Sequence, residues 1–143
     1  MHYYRLMMKE VEDCLSNLKI RFPTYEGQVY KISGFVWFQG WNDMVASGTY
    51  PNRGQTGGYD PYTDCLAHFI RDVRKDLNAP KMKFVIGVMG VGGPLEKYAS
   101  PRYVPIHGAF RDAMAAPASM PEFKGNVFAV RTAKFWDCLL YTS

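Results

Sequence analysis

Apolar residues fall at Tyr3, Leu6, Met7, Val11, Cys14, Leu15 and Leu18. Spacings of three and four put them on one face of a helix from Tyr3 to Leu18. Phe22-Pro23 ends that segment, and Glu26-Gly27-Gln28 turns the chain. From Tyr30 to Phe38 the pattern becomes an apolar run rich in β-branched and aromatic residues, which predicts a buried strand. Met44 to Pro61 is dense in Gly, Pro, Asn and Tyr and reads as a loop; loops this long are usually functional or disordered.

Asp60-Pro61 opens a second helix with Pro in its first turn. It runs to about Leu77, with Tyr62, Cys65, Leu66, Phe69, Ile70, Val73 and Leu77 on its apolar side. Asn78-Ala79-Pro80 stops it. Phe84 to Met89 is a second buried strand, and Gly90 to Pro101 a glycine-rich loop. A third helix is predicted over Tyr103 to Ala116, a loop over Pro117 to Phe123 and a third strand over Asn126 to Arg131. Helices alternating with strands imply right-handed crossovers, a parallel sheet and an α/β fold.

Composition narrows this little. At 143 residues, 48% hydrophobic and 21% charged, the chain fits one globular domain with a sizeable core. The net charge of +4 comes from cations interleaved with acids, without a basic run, which argues against nucleic acid. No stretch reaches the length of a membrane span. The three cysteines do not make a disulfide framework. Cys14 and Cys65 fall on predicted helices and read as small buried hydrophobes. Aromatic content of 15% suits a dense core or a sugar-stacking surface.

The chemistry concentrates at the end of the first strand, in Gly34-Phe35-Val36-Trp37-Phe38-Gln39-Gly40-Trp41-Asn42-Asp43. A buried strand that stops on Gln, Gly, Asn and Asp brings amides and a carboxylate to the carboxyl edge of the sheet, where ligands bind in open α/β sheets. Amides donate hydrogen bonds at every relevant pH and can stabilise an oxyanion. Gly40 would let backbone approach a substrate closely. Asp43 reads as a loop-orienting acceptor rather than a base. The plainer alternative is a strand-to-loop turn, which Gly, Asn and Asp favour for local reasons alone.

Gly40-Trp41-Asn42-Asp43 fits Gly-x-Asn-Asp and, with Gln39, resembles the third conserved block of the SGNH hydrolases. The longer string from Val36 to Asp43 is most similar to the sialate O-acetylesterase family of carbohydrate esterases. The resemblance in pattern runs from Tyr3 to about Asp137, while its sharp motif is confined to 34–43. It implies a flavodoxin-like three-layer sandwich with a parallel sheet, and serine catalysis of acetyl-ester hydrolysis on a carbohydrate without metal or cofactor. It also implies an extracytoplasmic or secreted setting. Gln39, Gly40, Asn42 and Asp43 become the candidate catalytic residues. Many members have Glu where Trp41 stands, which leaves open whether Gln39 or Asn42 faces the oxyanion.

The family's other blocks are missing. None of Ser16, Ser33, Ser47, Ser100, Ser119 and Ser143 follows Gly-Asp or sits in Gly-x-Ser-x-Gly. Neither His68 nor His107 has an Asp three residues before it, and His2 is too near the start. Residues 1–137 are therefore expected to be an internal fragment of an SGNH-like esterase domain, its nucleophile and base lying elsewhere. Residues 138–143 look like a translated sequencing adapter and are expected to be a non-native tail. A sheet without its leading strand should expose an apolar edge at Trp37 or Val85. A non-catalytic sugar-binding relative would share all of these features.

Three further patterns have bland readings. Gly87 to Pro94 follows a strand as a dinucleotide fingerprint would, but Leu95 occupies the third glycine's position and Pro94 disfavours helix at Gly93. Asp64 and His68 share a helix face without a further ligand nearby. His107 follows Pro105 near a helix start and reads as structural. Tyr50, Tyr59 and Tyr62 bracket the long loop and serve either to stack on a sugar or to pack the loop.

Overall fold

The computed structural model describes residues 2–98 and 100–136. The chain falls into two compact units, Met1–Ile32 and Ser33–Ser143. The first holds helix α1 (His2–Ser16) and the short helix α2 (Leu18–Arg21). Asn17 separates the two, its side-chain amide donating to the Asp13 carbonyl at 2.8 Å. The expected tail at 138–143 lies outside the described residues.

The second unit is an α/β arrangement around a three-stranded parallel sheet, as the alternating pattern predicts. Its strands are β1 (Gly34–Trp37), β2 (Lys83–Val88) and β3 (Val127–Arg131), in the order β1-β2-β3. Helix α4 (Asp60–Asp76) joins β1 to β2, and α5 (Val104–Ala115) joins β2 to β3. Between β1 and α4 lies α3 (Trp41–Val45), a short helix that runs from the polar end of the 34–43 motif into the loop predicted from Met44. The strand predicted over Tyr30–Phe38 is shorter than expected: β1 pairs with β2 only from Gly34 to Trp37.

Side-chain alternation sorts the sheet into two faces. Phe35, Trp37, Phe84, Ile86, Val88 and Val127 turn to the helices, where α4 and α5 also pack on each other. Phe69 of α4 meets the rings of Phe35, Trp37 and Phe84. Ile70, Phe84, Ile86 and Phe110 are fully buried at the centre. The guanidinium of Arg74 ties the end of α4 to the starts of β2 and β3, donating to the Met82 and Asn126 carbonyls.

The opposite face carries Val36 (72% exposed), Phe38 (66%), Phe128 and Val130. Val36, Val85 and Phe128 lie side by side in register. The apolar edge expected at Val85 does not exist, because β2 is central and paired on both sides. The uncovered apolar surface is a sheet face.

Candidate active-site edge

Because all three strands are parallel, the segments after Trp37, Val88 and Arg131 leave from one edge. The turn after β1 is fixed at Phe38, Gln39 and Gly40. Phe38 lies over Gly87, where an added Cβ would come within 2.3 Å of its ring. The Tyr62 hydroxyl donates to the Gln39 carbonyl at 3.2 Å and accepts from the Trp37 indole N–H at 3.4 Å. Gly40 is buried with φ +155°, and a Cβ there would stand 2.7 Å from the Phe110 ring. Packing, rather than approach of a substrate, therefore demands glycine at this position.

Gly40 then caps α3, with its carbonyl accepting from Met44 N–H at 2.9 Å. Asn42 is exposed, as is Gln39. Asp43 accepts the Tyr50 hydroxyl at 3.3 Å. This bond is to a side-chain hydroxyl of the long loop, not to the backbone N–H groups expected. Burial first, and then Asp43, push the Tyr50 phenol up to about 12. Burial also pushes Tyr62 up to about 12.

The long loop is ordered by what it buries. Tyr50 and Tyr59 are in the core, and the Tyr59 hydroxyl donates to the Met44 carbonyl at 2.6 Å. Arg53 Nη1 donates to the Val45 carbonyl at 2.6 Å. Tyr50, Tyr59, Tyr62 and Phe110 form a chain of ring contacts. Of the two readings of these tyrosines, loop packing is the one the geometry supports.

The glycine loop after β2 is organised by Arg111, which is 6% exposed. Its Nη2 donates to the carbonyls of Val91 and Gly93, each at 2.9 Å, and to the Tyr98 hydroxyl at 2.8 Å. Tyr98 donates in turn to the Val91 carbonyl. His107 Nδ1 lies 2.7 Å from the Tyr98 hydroxyl. Burial and the Arg111 charge hold the His107 pKa below the usual imidazole range. His107 and Arg111, four apart on α5, thus meet the same phenol; that spacing was the one available sequence signal for them.

A hollow of about 410 Å³ is bordered by Trp41, Met44, Val45, Arg53, Tyr103, Ile106 and His107. Gln39 and Asn42 do not border it, although Trp41 between them does. The structure thus brings the four candidate residues to the carboxyl edge and sets the indole, not the two amides, at the hollow. His68 sits on the surface beside Arg71. Among the described residues no three His, Cys, Asp or Glu side chains gather as metal ligands, and no helix is long and apolar enough to cross a membrane. Compared with family models, curated proteins and solved structures, the chain matches none.

Proposed function

We propose that this chain is part of a sialate O-acetylesterase-like carbohydrate esterase of the SGNH type, supplying oxyanion donors. The observation that carries the reading is the turn from β1 into α3. Tyr62 and Phe110 hold its backbone at Gln39 and Gly40, and Tyr50 holds the Asp43 carboxylate, while the Gln39 and Asn42 side chains are exposed at the carboxyl edge. Donors held in place before reaction cost no reorganisation when charge develops, which is the main source of oxyanion stabilisation.

The serine nucleophile and its histidine base come from sequence outside residues 1–143, since no serine here has the required context. The substrate is an acetyl ester of a sugar. The serine oxygen attacks the acetyl carbonyl as the histidine takes its proton. The ester C–O bond breaks with that proton passing to the departing sugar hydroxyl, and water then hydrolyses the acetyl-serine to acetate. The bare sheet face fits a flavodoxin-like three-layer sandwich whose second helical layer lies over Val36, Phe38 and Phe128. The test is acetate release by the longer protein carrying this segment. Asn42→Ala or Gln39→Ala should lower kcat roughly 100-fold or more with little change in KM. Unchanged kcat in both variants would refute the oxyanion role.

A further inference from the structure

The hollow beside α3 has the chemistry of a sugar subsite. Trp41 is half exposed on its border, and Tyr103 faces it from the start of α5. The floor is apolar, formed by the buried Met44 and by Ile106. Its volume, about 410 Å³, is that of a small-molecule site, typically about 300–1,000 Å³.

Two polar side chains, His107 and Arg53, border this apolar lining. The His107 ring is held there by Tyr98, whose hydroxyl lies 2.7 Å from Nδ1 and is itself fixed by Arg111 and the Val91 carbonyl. A neutral imidazole carries one N–H donor and one acceptor nitrogen. The neutral form is the one favoured here, by burial and by the Arg111 charge. Arg53 supplies the complementary function: its Nη1 is bonded to the Val45 carbonyl, and Nε and Nη2 remain as donors.

A half-exposed indole, an imidazole and a guanidinium around an apolar floor suit a ring with C–H faces and equatorial hydroxyls. We propose that this hollow binds a pyranose ring of the substrate, stacked on Trp41, with its hydroxyl groups hydrogen-bonded by the His107 ring and by the Arg53 guanidinium. The choice of a sugar rests on the esterase reading above; the hollow, its indole and its imidazole do not. His107 is then a substrate-binding residue, positioned by Tyr98 and Arg111.

The experiment is an NMR titration of the 143-residue chain with methyl glucoside, its mono-O-acetyl ester and cyclohexanol, following the Trp41 indole N–H and the His107 ring protons. The Trp37 indole N–H reports that the unit is folded. Both glycosides should shift the Trp41 and His107 signals saturably, and cyclohexanol should bind at least tenfold more weakly. Trp41→Ala and His107→Phe should each weaken glycoside binding at least tenfold; Trp41→Tyr should restore most of it, and the distant Lys75→Ala should change nothing. Glycosides that leave these signals still, cyclohexanol that binds equally well, or Trp41→Ala that binds normally would overturn the assignment. So would a spectrum without dispersed signals, since the hollow would then not exist. Glycoside binding here without acetate release by the longer protein would keep the subsite and remove the esterase reading. Asn42-dependent acetate release without binding here would do the reverse.

Discussion

The side chain that Gly40 lacks would collide with Phe110: a Cβ on Gly40 would stand 2.7 Å from Cζ of that ring. Phe110 is wholly buried between Tyr59 and Tyr62 and cannot swing away. The backbone at Gly40 also has φ +155°, which a side chain resists. Gly40→Ala should therefore destabilise the 33–136 unit by about 3 kcal/mol, from overpacking plus backbone strain. Urea unfolding measures it. Adding Phe110→Ala should leave less than the sum of the two single losses, because it removes the collision. A change under about 0.5 kcal/mol for Gly40→Ala would mean that the turn is not held as described.

Tyr62 and Tyr50 give the unit an alkaline limit. Their phenols titrate near 12 when folded and near 10 when unfolded. The folded state thus favours the protonated phenols. Their contribution is complete below pH 10 and is lost as pH rises through about 12. Urea midpoints for the wild type should fall across that window more steeply than those for Tyr50→Phe and Tyr62→Phe. Parallel curves for all three would contradict the burial of these hydroxyls.

The α/β class was legible because α4 follows its apolar stripe and Phe84 to Met89 is a short β-rich apolar run between Pro80 and the glycine loop. Helix α3 was not legible. Gly40-Trp41-Asn42-Asp43 has every local mark of a turn, and only the packing of Met44 and the clamps from Tyr50, Tyr59 and Arg53 make it helical. The early part of the first strand failed for the opposite reason. Tyr30 is apolar, but it is exposed and unpaired with β2. For the candidate site, sequence placed Gln39 and Asn42 at the correct edge. It could not place Trp41, Arg53 and His107 around one hollow, because their meeting depends on how the β1–α4 connection packs against the distant α5.

Arg111 holds the glycine loop by three bonds from one nitrogen. Arg111→Met keeps the apolar stem but leaves the Val91 and Gly93 carbonyls short of a charged donor, at a cost of about 3 kcal/mol. Arg111→Lys, which has no planar fork, should recover less than half of that. Hydrogen exchange of the amides in 90–98 should accelerate in both variants. Unchanged exchange would show that the loop holds itself.

The bare sheet face predicts association. Parallel sheets are normally covered on both sides, and here Val36, Val85 and Phe128 form an apolar row across all three strands. Sedimentation of the 143-residue chain should show species that grow with concentration, and Val36→Lys with Phe128→Glu should suppress them. A wild type that stays monomeric at high concentration would contradict an uncovered face.

The most direct test of the esterase account is the rate of acetate release from an acetylated sugar by the longer protein, compared between wild type and Asn42→Ala with Gln39→Ala beside it. The account predicts release by the wild type. It predicts a fall in kcat of about 100-fold or more in at least one variant, with KM nearly unchanged, since a lost oxyanion donor acts on the transition state. The 143-residue chain alone should give no turnover above background. Absence of release by the longer protein, or full kcat in both variants, would contradict the account.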